Sequence, residues 1–224
     1  MHPSMHTCHS LSIDLTRKDT VSADELFKAK TTLRKAIRYQ RKRISSFQQH
    51  NAAKKLLVQL KQHHWFNKAS KIALYLANDG EVSCTHIFKT LTQQGKRVYL
   101  PVLHPINKRQ LFFVLYDQHT PMRYNRFGIQ EPQLKRSRIV RPDQIDLVIM
   151  PLVGFDAEGN RLGMGGGFYD TTFEKVVNQR WRSSPMRVGA AHDCQQVDQL
   201  PQEPWDIPLN AVITPSTHIR VSNN

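Results

Sequence analysis

Cysteine is scarce. Cys8, Cys84 and Cys194 are scattered and odd in number, which excludes a disulfide framework and a Cys-x-x-Cys metal site. A reducing cytoplasm is the expected compartment. No apolar run approaches the roughly 20 residues that cross a bilayer. The opening MHPSMHTCHS has no apolar signal core, so export is not expected either. Acidic residues are missing from one long window: between Lys28 and Asn78 there are 13 Lys or Arg and no Asp or Glu. Of 32 basic residues in the chain, that leaves 19 against 18 acidic ones, so the net charge of +14 is almost wholly local. A local basic block marks one surface for a polyanion, whether nucleic acid, nucleotide phosphates or a polyglutamate tail. There is no internal repeat.

What is present begins with 39% hydrophobic residues among 224, enough to bury a substantial core. Residues 1–20 show no periodicity and read as a flexible lead-in. His2, His6, Cys8 and His9 within it read as a mobile polar tail, because nothing nearby would fix ligand geometry. Ser22-Ala23-Asp24-Glu25 is a capping-box pattern that starts a helix through about Arg43. Leu26, Leu33, Ile37 and Ile44 form its apolar stripe, and Lys30, Arg34, Arg38 and Arg41 a basic one. A second helix is expected over about Asn51–His64, with Leu56, Leu57 and Leu60 on its buried side. Then the pattern changes. Lys71–Ala77 reads as a buried strand, and Cys84–Gln94 as a helix ended by Gly95. Arg97–Val102, Gln110–Tyr116, Ile145–Met150, Val188–Ala191 and Ala211–Thr214 read as strands, and Phe168 to Gln179 as a helix. This alternation predicts one α/β domain over residues 21–224, a three-layer sandwich with a mostly parallel central sheet and helices on both faces.

The most informative stretch is Asp146–Asp170, DLVIMPLVGFDAEGNRLGMGGGFYD. Gly163, Gly165, Gly166 and Gly167 remove Cβ atoms where backbone must approach a ligand closely. Successive N–H groups ending at a helix N-terminus form an anion cradle. Arg161 just before it neutralises phosphate charge, and Asp170 in the first helical turn is placed for Mg²⁺. It is no Walker A loop, which ends in Gly-Lys-Ser/Thr. Nor is it a dinucleotide fingerprint, whose third glycine would stand where Phe168 does. A tight turn needs one glycine; four within five residues favour phosphate binding.

NRLGMGGGFYD after PLVGFDAEG resembles the nucleotide-binding signature of the 5-formyltetrahydrofolate cyclo-ligases. Lys30-Thr-Thr-Leu-Arg34 resembles the family's N-terminal Lys-x-x-Leu-Arg, and LANDGE (Leu76 to Glu81) its first-strand exit. GKRVYLPVL (Gly95–Leu103), FGIQEP (Phe127–Pro132) and the segment Val188–Pro215 are also similar to family segments. The ordered resemblance spans about Ala29 to Pro215. It implies an ATP-dependent ligase that closes 5-formyltetrahydrofolate, with or without a polyglutamate tail, to 5,10-methenyltetrahydrofolate through a phosphorylated formyl group, releasing ADP and phosphate. It further implies that Lys30, Arg34, Arg161, Leu162, Gly163, Met164, Gly165, Gly166, Gly167, Phe168 and Tyr169 hold ATP. Leu76, Glu81 and Met164 to Phe168 would contact folate, with Tyr124, Phe127 and Glu131 completing the pocket. Asp170 and Asp206 would be the Mg²⁺ ligands, and Arg161 and Tyr169 the catalytic pair. Some members carry a basic residue inside the glycine loop, where this chain has Met164 and Gly166. Phosphate charge then falls more to backbone N–H, Arg161 and the first helix. A cytoplasmic monomer acting on small molecules is expected, with no membrane or nucleic-acid partner.

Plainer readings exist for several residues. Arg38, Arg41, Lys42 and Arg43 read as a solvated helix face. His192 and Cys194 suggest a nucleophilic pair, yet no third group orients them. Trp65, Trp181 and Trp205 read as packing residues. A rival class is an RNA-binding protein using the Lys28–Lys71 block, against which the aromatics are not interleaved with the charge. A sugar-phosphate or CoA enzyme on a related sheet is a further alternative.

Overall fold

The computed structural model describes residues 22–107, 109–178 and 184–221. The lead-in, Trp181 and the expected helix end at Gln179 lie outside the described residues. Helix α1 (Ala23–Lys42) opens with the expected capping box: Glu25 N donates to Ser22 Oγ at 3.3 Å and Ser22 N donates to Glu25 Oε2 at 2.9 Å. Helix α2 (Ser46–Lys61) starts five residues before the expected Asn51. A second capping box, Ser45 with Gln48, sets that start. The short helix α3 (His64–Lys68) leads into strand β1 (Lys71–Ala73), and helix α4 (Thr85–Gln93) follows. Next come β2 (Arg97–Leu103), β3 (Leu111–Tyr116), the hairpin β4 (Met122–Tyr124) and β5 (Gln130–Pro132), and β6 (Ile139–Val140). The chain continues through β7 (Leu147–Pro151), the small ladder β8 (Gly154–Phe155) and β9 (Arg161–Leu162), helix α5 (Phe168–Asn178), β10 (Met186–Ala190), β11 (Ala211–Ile213) and β12 (His218–Arg220).

The main sheet runs β12-β11-β10-β7-β1-β2-β3-β6. Its five central strands, from β11 to β2, are parallel, and β12, β3 and β6 pair antiparallel at the edges. The pleat sends alternate side chains to opposite faces. Leu147 and Ile149 join Leu56, Leu60, Phe66, Ile87 and Leu91 in one core, under α2, α3 and α4. Val148 and Met150 join Phe173 and Val176 of α5 in the other. Both faces are therefore covered, as a parallel sheet requires. Helix α1 packs elsewhere: Leu33 and Ile37 meet Val153 just past β7, Leu162 in β9, and Leu200. β1 stops at Ala73, short of the expected Ala77, and Leu74 N makes one last bond to Tyr99 O at 2.9 Å. The chain then turns through Asp79 and Gly80, both at positive φ. No helix among the described residues is long and apolar enough to cross a membrane.

Candidate active site

In an open α/β sheet, ligands gather beyond the carboxyl ends of the parallel strands. Here the β1 exit turn (Asn78 to Glu81), the chain leaving β7, the glycine loop after β9 and helix α1 meet there. The basic stripe of α1 faces this region, since residues three and four apart share a helix face. Lys30, 9% exposed, reaches Asp206 with Nζ 2.8 Å from Oδ2. Arg34 Nε donates to Gly163 O at 2.8 Å. Burial lowers the Arg34 pKa from its ordinary value, while the nearby Asp206 works the other way.

Farther along the stripe, three cations converge on Asp79. Arg38 Nε donates to Oδ2 at 2.6 Å, Arg41 Nη2 to Oδ2 at 2.8 Å, and Lys42 Nζ stands 2.8 Å from Oδ1. The expected solvated face therefore holds for Arg43 and Lys42, which are exposed, and fails at Arg41, which is fully buried. Period alone cannot show this, because the burying partners lie 38 and 111 residues away.

The glycine loop runs from β9 into α5. Gly165 and Gly167 have φ of +96° and +65°, a region that L side chains rarely adopt. No amide N–H from Gly163 through Tyr169 donates to another described residue. This run of unpaired donors at a helix start is what an anion needs. A Cβ at Gly165 would stand 3.5 Å from Arg34 Cζ, so the guanidinium lies directly against the loop. Leu162 is buried beneath it, whereas Met164 is 53% exposed.

Arg161 is nearly buried, pairs with Asp170, and has an Nε without a partner among the described residues. Its Cζ lies 6.0 Å from the centre of the Tyr169 ring. Burial holds the Tyr169 hydroxyl well above its ordinary pKa, and the charge of Glu81 adds to the shift. Tyr169 therefore offers a neutral O–H between the loop and the β1 exit. Glu81 N donates to Asn78 O, and Glu81 Oε2 accepts from Asn78 N, each at 3.0 Å. Glu81 Oε1 has no partner among the described residues. Burial pushes the Glu81 carboxyl up to about 7. Leu76 is half-buried against the core on the α4 side of the sheet.

Asp170 and Asp206 come together from separate elements. Ile207 N, the residue after Asp206, donates to Asp170 Oδ1 at 3.1 Å. Asp206 Oδ2 accepts from Lys30 and from Glu203 N. Asp170 Oδ2 and Asp206 Oδ1 have no hydrogen-bond partner among the described residues. No group of three His, Cys, Asp or Glu there makes an all-protein cage. Two carboxylates with free oxygens beside an anion cradle suit Mg²⁺, which keeps waters and takes substrate phosphates into its shell.

Other expected residues fall out differently. Phe127 is 54% exposed at the hairpin tip and meets Phe168 edge to face at 5.8 Å; Tyr124 is exposed beside it. Glu131 is 2% exposed with both oxygens occupied: Oε2 takes Leu103 N and Asn125 Nδ2, and Oε1 takes Arg123. It pins the hairpin to β2 and presents no free oxygen to a pocket. His192 is buried, and burial holds its pKa down to about 4. Its backbone closes the turn Asp193–Gln195, N donating to Gln195 Oε1 at 2.8 Å and O accepting from Gln195 N, while its Nε2 has no partner among the described residues. Trp65 packs against the core as expected, but Trp205 is 63% exposed. Arg41 and Asp79 were not among the sequence candidates. Their signal was the Asp-Gly of LANDGE, a left-handed turn pair, facing a basic stripe.

A model of the 5-formyltetrahydrofolate cyclo-ligase family matches residues 27–215. The chain is 44% identical over 177 residues to the 5-formyltetrahydrofolate cyclo-ligase of Haemophilus influenzae, covering 79% of this chain and 92% of that protein. It is 41% identical over 180 residues to the Escherichia coli K12 protein of the same name, covering 80% and 97%. The solved structure of Aquifex aeolicus 5,10-methenyltetrahydrofolate synthetase superposes with a TM-score of 0.73 at 29% identity, covering 87% of this chain and 94% of that one. The Mycoplasma pneumoniae 5,10-methenyltetrahydrofolate synthetase gives 0.64 at 26% identity, covering 84% and 99%. A match over most of the chain, joined to a glycine cradle and its facing cations on a shared fold, makes this chain a member of the 5-formyltetrahydrofolate cyclo-ligase family of ligases.

Proposed function

We propose that the protein uses ATP to convert 5-formyltetrahydrofolate to 5,10-methenyltetrahydrofolate. A formyl amide is a poor electrophile, so its oxygen must first become a leaving group. The N5-formyl oxygen attacks the γ-phosphorus, and ADP departs with the bridging oxygen. N10 adds to the activated formyl carbon and gives up its proton, and phosphate leaves with the former formyl oxygen. The protein's share is alignment and charge shielding. Lys30, Arg34 and Arg161 offset phosphate charge, and the amides of Gly163 to Tyr169 cradle it. Met164 to Phe168 and Leu76 flank the pterin, and Glu81 accepts hydrogen bonds from its donor edge. Tyr169 donates to an oxygen that gains charge during transfer. Mg²⁺, held by Asp170 and Asp206, would neutralise phosphate charge when bound. The reading takes the protein as a cytoplasmic monomer.

The observation that carries the reading is the docking of α1 on the glycine loop, with Arg34 on Gly163 O and Lys30 on Asp206. It also counts against RNA as partner, because Lys30 and Arg41 of the basic block are turned inward. Purified protein with ATP, Mg²⁺ and 5-formyltetrahydrofolate should give methenyl product, read by absorbance, and ADP in equal amounts. Product without ADP, or no product at all, would end the reading.

A further inference from the structure

We propose that Arg41, acting through Asp79, is a positioning residue for folate: it sets the turn that carries Glu81 and locks that turn to the helix bearing Lys30 and Arg34. The inference rests on the folate role of Glu81 given above.

Arg41 is fully buried and spends its donors in three directions. Nε donates to Asp79 O at 2.9 Å, Nη2 to Asp79 Oδ2 at 2.8 Å, and Nη1 to Leu152 O at 3.1 Å. One planar group therefore joins the end of α1 to the exits of both β1 and β7. A lysine has the charge but not this fork of donors. A buried guanidinium persists only where its charge is met, and Asp79 meets it. Asp79 is the single non-glycine residue with positive φ among those described, at +50°. Backbone in this region persists where its surroundings over-determine it. Here Arg38, Arg41 and Lys42 hold the side chain, and Arg41 also holds the carbonyl. The next residue is clamped as well: Gly80 O accepts from Gln49 Nε2 of α2 at 2.9 Å. A Cβ on Gly80 would come 3.4 Å from Arg41 O, so turn and helix end are in direct contact.

Glu81 comes next. One of its oxygens is tied to Asn78 N inside the same turn, and the other is free. The direction of that free oxygen is thus decided by the backbone of residues 78–81, which the Arg41–Asp79 pair fixes. Arg41 follows Lys30 by 11 residues, roughly 16 Å of helix. The single rigid α1 therefore spaces the folate carboxylate from the phosphate cations.

The test compares Asp79→Asn and Arg41→Lys with the parent enzyme. Asparagine tolerates the left-handed turn but lacks the charge, and lysine keeps the charge without the fork. Arg43→Gln, on the exposed side of α1, is the control. Folded variants are expected to raise the KM for 5-formyltetrahydrofolate roughly 10- to 100-fold, the weight of a charge-assisted contact. The ATP KM should move less than about threefold, because Lys30 and Arg34 stay in place. Equal rises in both KM values, an unchanged folate KM with only a lower Tm, or failure of both variants to fold would overturn the proposal in favour of a structural strut. A parent enzyme without turnover would instead overturn the underlying reading of the reaction.

Discussion

Glu81 and Tyr169 approach the site from different elements, and burial drives both towards their neutral forms. For Glu81 this has a stability consequence. Its carboxyl is raised from an ordinary 4.5 to about 7. Between those values the folded protein holds a proton that the unfolded chain has lost. Stability contributed by the protonated form is complete below about 4.5 and drains away as pH rises towards 7. Glu81→Gln should therefore melt higher than the parent at pH 8, by about 3 kcal/mol of stability, with the two converging near pH 4.5. Its folate binding should be lost. A Tm difference independent of pH would show that Glu81 does not carry the raised pKa. On the proposed folate role of Glu81, its carboxylate is kept at some cost to stability, as functional sites commonly are. From the sequence Glu81 was visible as a candidate through its segment, but its burial was not, because the groups around it come from α1, α4 and α5. The burial of Arg41 is hidden in the sequence for the same reason: a basic residue on an amphipathic helix is usually solvated, and only distant acceptors make it otherwise.

At the scale of elements, the glycine loop and α1 work as one unit. The loop supplies N–H donors, and α1 supplies the cations that face them. Gly165→Ala tests the pairing. Its φ of +96° disfavours alanine, and the added methyl would press on the Arg34 guanidinium. The ATP KM should rise about tenfold or more while Tm falls by only a few degrees, since the loop is exposed and a misplaced donor set costs binding before folding. An unchanged ATP KM would remove the loop from the nucleotide site. The start of α1 was readable to the residue, because a capping box is a local pattern. The start of α2 obeys the same rule at Ser45 and Gln48, but apolar periodicity points only to Asn51, because the first turn carries the exposed Phe47 and no apolar period. Glu131, expected at the pocket, instead braces the hairpin that carries Phe127, since its partners on β2 lie 28 residues away.

For the whole molecule, the site exists only when the ends of the chain are brought together: Lys30 and Asp206, 176 residues apart, close one side of it. A ligand that bridges these parts should stabilise the entire fold. ATP with Mg²⁺ at about 100 times its Kd should add roughly 2.7 kcal/mol, read as a rise in Tm. Asp170→Ala should lose the Mg²⁺-dependent part of that rise and its turnover, while circular dichroism stays that of the parent. A full Mg²⁺-dependent shift in the variant would remove Asp170 from the metal site. By itself the sequence determined the α/β alternation, the capped first helix, the glycine cradle and the family, because each is written in residues close together along the chain. Only the tertiary structure decided which strands stand next to each other, that Arg41 is buried on Asp79, and that Lys30 and Arg161 already hold the two aspartates. Those pairings join groups far apart in the chain, and their energies depend on burial and direction, which no local spacing encodes.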